Sequence, residues 1–420
     1  MNNKLAAMPT YEAYKESGVD WLGSIPETWD LKPGIVAFSE NKRNNKGMKE
    51  ETVLSLSYGK IIIKPEEKLV GLVPESFETY QLVEPSDIIV RCTDLQNDKV
   101  SLRTGLAKDK GIITSAYLNL KVKSGFNSRF LHYYLHALDT TKVIYKFGSG
   151  LRQNLSFLDF KRLPVFDIPE ETQEAIANFL DAKTAQIDEA IAIKEKQIAL
   201  LKERKKISIQ KAVTQGLNPD VPMKDSGIGG IGEIPKHWKV MSLRYAFEFK
   251  NNRRIPLSAI EREKMQGEYP YYGASGIIDY VDDYIFEEDL ILIAEDGANL
   301  LSKSTPLAFV ASGKYWVNNH AHIIKPKFSG FRYWAELLSS LDYTVYISGA
   351  AQPKLTRERL GSVKLPVPSE KEITAIVEFI ESQVPSIDSG IELNKRQIKK
   401  LKEYKTTLIN SAVTGKIKVA

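Results

Sequence analysis

Two loops of the chain combine cationic and amide side chains, the groups that proteins use to bind nucleic acids. Lysine and arginine donate hydrogen bonds to phosphates, while guanidinium and amide groups can pair with the edges of bases. The second loop lies about 209 positions after the first, so this composition recurs. A solvated turn is the alternative interpretation. The candidates are Lys42, Arg43, Asn44 and Lys46 in the first loop, and Asn251, Arg253 and Arg254 in the second.

Two glycine-containing loops form another pair of candidates, at residues 148–154 and 348–354. Glycine lets a backbone approach a phosphate closely, and the neighbouring side chains supply hydrogen-bond donors. A turn that leads into a helix is the alternative. The candidates for binding are Arg152, Gln153, Gln352 and Lys354.

Two further polar loops adjoin predicted strands. Their side chains offer donors and acceptors that suit base edges, although ordinary exposed loops have a similar composition. The candidates are Arg91, Asp94, Gln96, Asn97 and Lys99 in the first half of the chain, and Asn318, Asn319 and His320 in the second half.

Signals for catalysis are weak. The chain has neither a Gly-x-x-x-x-Gly-Lys-Ser/Thr phosphate loop nor the Asn/Asp-Pro-Pro-Tyr/Phe tetrapeptide of amino-methyltransferases. A nuclease site built from Asp220, Glu248 and Lys250 is disfavoured, because Asp220 lies in a proline-rich linker. His132 and His136 share a helix face but lack an obvious third metal ligand. We therefore predict no catalytic residue, no cofactor and no metal site.

The composition is that of an ordinary globular protein. A length of 420 residues suggests two or three domains, and a formal charge of +5 permits an anionic partner without proving one. No apolar run of about 18 residues indicates a membrane span, and the N-terminus lacks the apolar core of a secretory signal. Cys92 is the only cysteine, so a disulfide framework is excluded. A cytoplasmic location is predicted.

The segment from Ala175 to Thr214 recurs 200 positions later and ends in Ala-Val-Thr both times. Apolar residues at helical spacing form a seam along one face of each copy. A helix cannot bury such a seam alone, so we expect each copy to pack against the other. Lys205 and Lys405 interrupt the two seams at matching positions. The seam residues are Ile187, Ile191, Ile198 and Leu201 in the first copy, and Ile387, Ile391, Ile398 and Leu401 in the second.

Pro385 predicts a break in the second copy, because proline inside a helix removes a hydrogen bond. We expect a short helix near residues 369–383 and a long one near 386–413, which would span roughly 40 Å. Ser369 and Glu372 have the spacing of a capping box at the start of the short helix. Gly415 suits the end of the long one.

A second repeat, offset by 209, matches Lys15–Phe38 with Lys224–Phe247. Each copy precedes a predicted globular domain of sheet and helix, and residues 216–222 form a linker between the halves. The predicted boundaries are 1–165 for the first domain, 166–216 for the first helical segment, 217–366 for the linker and second domain, and 367–420 for the second helical segment. The predicted strands are Thr52–Leu56, Lys60–Ile63, Asp87–Arg91, Ile112–Val122, Leu290–Ala294, Leu307–Ala311 and His320–Lys325, and the predicted domain helices are Ser128–Leu138 and Phe331–Leu341.

Several of these segments resemble the specificity subunit of type I restriction–modification systems, and the likeness covers the whole chain. Ser226-Gly-Ile and Gly232-Glu-Ile-Pro-Lys-His-Trp238 precede a domain, and the duplicated helix follows it, as in that family. Similarity to its target-recognition domains lies in residues 271–276, 294–297 and 317–322. Another subtype of the same domain is similar to residues 94–99 and 111–117.

The resemblance implies an α+β fold in which two mixed α/β target-recognition domains are joined by two long helices. The helices would pack as an antiparallel coiled coil, giving a pseudo-two-fold internal repeat. Each domain would read one half of a bipartite double-stranded DNA target, and the chain itself would be non-catalytic. Two adenine methyltransferase subunits would dock on the helices and recruit ATP-driven restriction subunits. The predicted helix length is close to one turn of B-DNA, about 34–36 Å, which agrees with a spacer.

Two other functions stay open at this point. A coiled-coil adaptor that binds only protein would show no salt-dependent affinity for DNA. A self-contained nuclease or methyltransferase would turn over substrate as an isolated chain. Two diverged domains with polar loops on near-identical supports favour DNA recognition, and the missing motifs disfavour an enzyme.

Overall fold

The computed structural model describes residues 8–65, 67, 76–96, 102–147, 154–349 and 353–419. The chain forms two compact units, one made of residues 1–195 and 395–420 and the other of residues 196–394. The division falls within the two long helices, whereas the predicted domain boundaries fall at their ends. Those boundaries stay a prediction.

The first unit is built around a four-stranded sheet in the order β4-β11-β8-β9, in which all neighbours are antiparallel. Helix α1 packs on β9. The elements are β1 (Tyr14–Glu16), β2 (Ser24–Pro26), β3 (Asp30–Pro33), β4 (Phe38–Glu40), β5 (Leu54–Ser57), β6 (Lys60–Ile63), β7 (Gln81–Val83), β8 (Ile88–Val90), β9 (Thr104–Leu106), β10 (Gly111–Ile113), β11 (Leu118–Val122), β12 (Pro164–Asp167), α1 (Ser128–Thr140), α2 (Phe157–Arg162) and α3 (Glu170–Gln215), which continues into the second unit.

The second unit repeats this sheet as β16-β23-β20-β21, again antiparallel throughout. Helix α7 packs on β21 as α1 packs on β9. The elements are β13 (Met223–Asp225), β14 (Glu233–Pro235), β15 (Lys239–Ser242), β16 (Phe247–Phe249), β17 (Gln266–Gly273), β18 (Gly276–Val281), β19 (Phe286–Glu287), β20 (Leu290–Ala294), β21 (Ala308–Ala311), β22 (Lys314–Val317), β23 (Ala321–Pro326), β24 (Lys364–Val367), α4 (Leu243–Ala246), α5 (Ala259–Lys264), α6 (Asn299–Ser302), α7 (Phe331–Ser340), α8 (Arg357–Ser362) and α9 (Glu370–Val413), which continues into the first unit.

The internal repeat predicted from the sequence is thus present in the topology. Both units also share the β1–β2 or β13–β14 hairpin and the pairing of β3 with β12 or β15 with β24. They differ in the strands that come after β4 or β16. The first unit has a β5–β6 hairpin and a β7–β10 pair, while the second has a four-stranded sheet in the order β18-β17-β22-β19.

Most strand predictions match, and the central strands show why. Leu290–Ala294 is buried at every position, as expected for a continuous apolar run in the middle of a sheet. The prediction of one strand over Ile112–Val122 is wrong. A turn divides it, in which the Tyr117 amide donates to the Thr114 carbonyl at 3.3 Å. The Gln81 side-chain amide bonds to the Thr114 and Tyr117 carbonyls at 3.0 and 2.6 Å, which fixes that turn.

Segments of the two long helices pack against each other within each unit, and the helices run antiparallel. In the first unit Ile187 and Ile191 are buried, and Ile398 and Leu401 pack against the same core. Ile391 is buried in the second unit, where Ile198, Leu201 and Ile387 are half-buried. The lysines that interrupt the seams form ion pairs, Lys405 with Asp188 at 2.7 Å in the first unit and Lys205 with Asp388 at 2.8 Å in the second.

The predicted break at Pro385 is wrong, because α9 runs without interruption from Glu370 to Val413. Proline costs a helix one hydrogen bond to the carbonyl four residues earlier, here that of Glu381. Residues 381–383, 385 and 386 are exposed, so water can satisfy this carbonyl. Burial of Ile380 and Ile391 on either side stabilises the helix across the site.

The predicted helix ends are confirmed. The Ser369 hydroxyl accepts from the Glu372 amide at 3.4 Å and the Ser369 amide donates to Glu372 Oε2 at 3.1 Å, which forms the capping box. After α9, Gly415 adopts a φ of 70°, a conformation that glycine accommodates readily. Within the described ranges, no helix combines the length and apolar character needed to cross a membrane.

Candidate nucleic-acid interface

One edge of the sheet in the second unit collects polar segments from distant parts of the chain. Strands β16 and β20 end at this edge and β23 begins there, because β23 is antiparallel to both. The Glu295 amide donates to the His320 carbonyl at 2.9 Å, and the Leu355 amide donates to the Glu295 carbonyl at 2.8 Å. We call residues 250–254, 295–297, 318–320 and 353–355 the second polar edge.

The Glu295 carboxylate, 12% exposed, lies at the centre of the second polar edge. It accepts from Arg254 Nη1 at 2.5 Å and lies 3.4 Å from Lys354 Nζ. Arg254 also donates to the Ala321 carbonyl at 2.9 Å and the Asn251 carbonyl at 3.1 Å. We call Glu295, Arg254, His322 and Lys354 the Glu295 cluster.

Hydrogen bonds fix the tautomer of His322 in this cluster. Its Nε2 donates to the Leu355 carbonyl at 2.7 Å, and its Nδ1 accepts from the Asn251 side-chain amide at 2.9 Å. Burial lowers the pKa of His322, against the opposing effects of Leu355 and Glu295. Burial alone would raise the pKa of Glu295, but the hydrogen bond and charge of Arg254, with the charge of Lys354, lower it below its usual range. The cluster therefore contains a charged carboxylate beside a neutral imidazole.

The exposed side of the second polar edge carries histidine, asparagine and lysine. His320 is 48% exposed, and its Nδ1 lies 2.9 Å from both oxygens of Asp296. The buried Asn318 side chain accepts from the His320 amide at 2.8 Å and so fixes the loop. Asn319 is exposed, and the Lys354 side chain is 53% exposed. These groups can reach an anionic or hydrogen-bonding ligand.

The corresponding edge of the first unit has the same backbone pattern. Strands β4 and β8 end there and β11 begins there. The Asn41 amide donates to the Asn119 carbonyl at 2.9 Å, and the Leu155 amide donates to the Cys92 carbonyl at 2.8 Å. We call residues 41–46, 91–96, 114–117 and 154–155 the first polar edge.

A fully buried guanidinium, that of Arg103, organises the first polar edge. Its Nη1 donates to the Thr93 carbonyl at 2.8 Å and the Arg91 carbonyl at 3.3 Å, and its Nη2 donates to the Asp94 carbonyl at 3.2 Å. Its Nε donates to the Tyr145 hydroxyl at 3.0 Å. We call Arg103, Tyr145 and these three carbonyls the Arg103 cluster.

The loop after β4 completes the first polar edge. Buried Asn45 holds it closed, donating to the Glu50 carbonyl at 2.8 Å and accepting from the Glu50 amide at 3.0 Å. This arrangement leaves four predicted residues exposed. Two of them make ion pairs, Lys42 with Glu40 at 3.0 Å and Arg43 with Glu84 at 3.8 Å. The four exposed residues are Lys42, Arg43, Asn44 and Lys46.

Comparison with known proteins shows what the chain is similar to. Residues 235–403 match the profile described as the type I restriction modification DNA specificity domain. A putative type I restriction enzyme specificity subunit of Haemophilus influenzae is 36% identical over 135 residues, which cover 31% of this chain and only 34% of that relative. The putative type I restriction enzyme MjaX specificity subunit of Methanocaldococcus jannaschii is 24% identical over 95% of this chain and 96% of its own. Residues 235–403 thus match a DNA specificity domain of type I restriction–modification systems, and the chain as a whole is similar to specificity subunits of such systems.

Solved structures support the fold of the chain. A chain from work on complex assembly and conformational transition of the type I R-M system has a TM-score of 0.67 at 14% identity, over 93% of this chain and 98% of that one. The HsdS subunit of Thermoanaerobacter tengcongensis has a TM-score of 0.51 at 14% identity, over 94% and 98%. At this identity the likeness concerns the fold alone.

The second polar edge brings most of its predicted residues together, but the side chains of two of them are engaged by the fold. Arg253 points away, donating to Glu288 Oε1 at 3.0 Å and to the Ile285 carbonyl at 2.8 Å. Asn251 is engaged by His322 and by the Ile323 amide, at 2.8 Å, so its side chain holds the backbone. The predicted residues that lie together there are Arg254, Asn318, Asn319, His320 and Lys354.

In the first unit, Arg91, Asp94 and Gln96 follow β8 at the first polar edge. Asp94 adopts a φ of 60°, and its amide donates to the Asn154 side chain at 2.9 Å. Five other predicted residues lie outside the described ranges. They are Asn97, Lys99, Arg152, Gln153 and Gln352.

The histidines considered as metal ligands are half-buried on α1. Burial, followed by the charge of His136, lowers the pKa of His132 to about 4. Burial, followed by Lys405, lowers the pKa of His136 to about 4. Across the described ranges, no three His, Cys, Asp or Glu side chains are grouped so that they could hold a metal ion.

Sequence reasoning missed Arg103 and Glu295 as organising residues. A signal for Glu295 was present, since an acidic pair, Glu295 and Asp296, directly follows the wholly apolar strand β20. Arg103 directly precedes the uncharged strand β9, which is a weaker signal. The charged partners of Glu295 lie far from it in the sequence, and the partners of Arg103 are mainly backbone carbonyls. Neither set of partners is visible in the local sequence.

Proposed function

We propose that the globular part of each unit reads one half of a bipartite DNA target through its polar edge. As a type I specificity subunit, the chain is the non-catalytic DNA-recognition component of a restriction–modification complex. One observation carries the assignment to the edges. Equivalent sheets present the same backbone pattern there, but the two edges display different side chains. A common support with different polar groups suits two different base sequences.

The chemistry of the second polar edge supports DNA as its ligand. Lys354 and Arg254 can neutralise phosphates, while Asn319 and His320 can exchange hydrogen bonds with base edges. The first polar edge offers Lys42, Arg43, Asn44 and Lys46 in one loop and Arg91, Asp94 and Gln96 in another. Arg253 and Asn251 contribute through the fold rather than by contact in this proposal.

DNA, methyltransferase and restriction subunits are the partners that the family context implies. The finer proposal is that two adenine methyltransferase subunits dock on the paired long helices and that restriction/translocase subunits join through them. The repeated helix supports two such sites, because each copy presents similar residues. We place the complex in the cytoplasm, in keeping with a single, buried and unpaired cysteine.

The test is detection of methylated adenine across a genome that carries the chain and its methyltransferase, with and without the specificity gene. The expected result is a two-part motif with an undefined gap that disappears on deletion. Unchanged methylation beside an active methyltransferase would favour the protein-only adaptor.

Salt dependence and turnover separate the alternatives further. A DNA reader with several phosphate contacts loses affinity steeply as salt rises. An adaptor would show no such DNA affinity, and cleavage by the purified chain alone would indicate a self-contained nuclease.

A further inference from the structure

The two polar edges have ions at their centres that are opposite in charge and occupy different backbone positions. The Leu155 amide bonds to the Cys92 carbonyl at 2.8 Å, just as the Leu355 amide bonds to the Glu295 carbonyl at 2.8 Å. By this register Cys92 occupies the place of Glu295. Each domain therefore lacks the central ion of the other.

The same comparison holds for Arg103. The Arg91 amide donates to the Arg103 carbonyl at 2.8 Å, and the Ala294 amide donates to the Leu307 carbonyl at 3.0 Å. Leu307, which is buried, thus stands in the second unit where Arg103 stands in the first. The ions are individual to each domain, whereas the surrounding backbone is shared.

Both ions are engaged by the segments that we assign to DNA reading. Arg103 donates to the carbonyls of Arg91, Thr93 and Asp94, three positions within four consecutive residues. A buried guanidinium is tolerated only when its donors are satisfied. The loop therefore has one favoured conformation, the one that directs these carbonyls inward.

Glu295 is the anionic counterpart of Arg103 and holds its loop through Arg254. Through Arg254 it is connected to the Asn319 carbonyl at 3.3 Å and the Ala321 carbonyl at 2.9 Å, on either side of His320. Its own backbone bonds to His320 and Leu355. Loss of its charge would leave Arg254 without its buried counter-ion and release the loop that carries Asn319 and His320.

We propose that Arg103 and Glu295 are positioning residues for base reading, each setting the loop conformation of its own domain. The inference rests on the proposed function of the polar edges. Neither side chain contacts DNA in this proposal. Substitution of either one removes recognition of a single half-site and leaves recognition of the other half intact.

The experiment measures DNA binding by the full methyltransferase complex with three duplexes: the complete target, and targets with either half scrambled. The two variants are Arg103→Lys, which keeps the charge but loses the fork of donors, and Glu295→Gln, which keeps the shape but loses the charge. The unmodified complex should lose at least about tenfold in affinity when either half is scrambled. Each variant should become insensitive to scrambling of one half, and the two variants should ignore different halves.

Matched variants separate positioning from stability. Glu372→Gln removes a carboxylate that bonds to Trp238, His237 and Ser369 at the start of α9, outside the residues of both polar edges. It should lower the thermal midpoint and keep discrimination at both halves. Tyr145→Phe removes one acceptor from Arg103 and should reproduce the Arg103→Lys pattern with a smaller change, even if Arg103→Lys itself fails to fold.

Three results would count against the proposal in distinct ways. Variants that retain full discrimination at both halves overturn the positioning role, as does equal loss at both halves in a folded complex. Two variants that ignore the same half overturn the assignment of one ion to each domain. If the unmodified complex ignores both halves, the proposed function itself fails.

Discussion

In the first polar edge a buried guanidinium donates hydrogen bonds to backbone carbonyls, whereas in the second a buried carboxylate pairs with cationic side chains. The strands that support the two edges have the same order and share several backbone hydrogen bonds. The scaffold thus determines where the loops lie, and the ion determines which conformation they adopt. Recognition can diverge by exchange of a few buried polar residues while the sheet is retained.

The largest expected effect comes from exchanging the central residues between domains. Arg103→Leu, which introduces the residue of the second unit, removes the donor that three carbonyls and Tyr145 share. We expect a loss of about 3–5 kcal/mol in the free energy of unfolding, because each buried carbonyl left without a donor costs about 1–3 kcal/mol. Glu295→Cys should cost less, about 1–3 kcal/mol, because the Arg254 side chain is 17% exposed and water can partly solvate it once its counter-ion is gone. Denaturant unfolding monitored by hydrogen exchange assigns each loss to a unit, and equal losses would contradict the difference between the edges.

Acid should affect the first unit more than the second. His132 and His136 have pKa values of about 4, below their usual 6.5, so the folded state binds fewer protons than the unfolded state. Their stabilising contribution is complete above pH 6.5 and is lost as the pH falls towards 4. Between pH 6.5 and 5 we expect a loss of up to about 2 kcal/mol for each histidine. In the second unit, burial also holds His322 neutral.

The control for the acid effect is the double substitution His132→Ala and His136→Ser. Counting from the helix caps Asn127 and Gly330, these are the residues of the second unit at the same positions, Ala335 and Ser339. Hydrogen exchange at pH 7.5 and pH 5 should show a reduced pH dependence in the first unit. An unchanged dependence would exclude the two histidines as its source.

Pro385→Ala tests whether the second long helix can be made like the first. Ala185 occupies the matching position in α3. Alanine restores the amide that bonds to the Glu381 carbonyl, so we expect a gain of about 1–3 kcal/mol in the second unit. Chemical unfolding measures the gain. Unchanged or lower stability would show that the helix depends on a proline at this position.

The smallest effects should be equal in the two units. Lys205→Met and Lys405→Met each remove one half-exposed ion pair of nearly the same length. Each should cost about 0.5–1 kcal/mol, and less at high salt. Parallel measurements at low and high salt test this symmetry, which unequal losses would refute.

Local sequence patterns predicted much of the fold but not the chemistry of its edges. Leu290–Ala294 and the long helices were recognisable, because hydrophobic periodicity is a local property. The prediction of one strand over Ile112–Val122 was wrong, because the apolar pattern continues across a turn. Gln81, about thirty positions away in the sequence, fixes that turn. The Glu295 cluster was not predictable for the same reason, as Arg254 and Lys354 approach it only in the folded chain.

The composition of the first unit from residues 1–195 and 395–420 has a consequence for synthesis on the ribosome. Its core includes Leu408, Ile409 and Val413, which pack with residues made some two hundred positions earlier. The second unit consists of one continuous stretch, so all its residues are available sooner. Domains generally fold as they emerge, beginning at the N-terminus. Here we expect the reverse order, in which the unit that starts first finishes last and its nascent apolar surface awaits the end of α9.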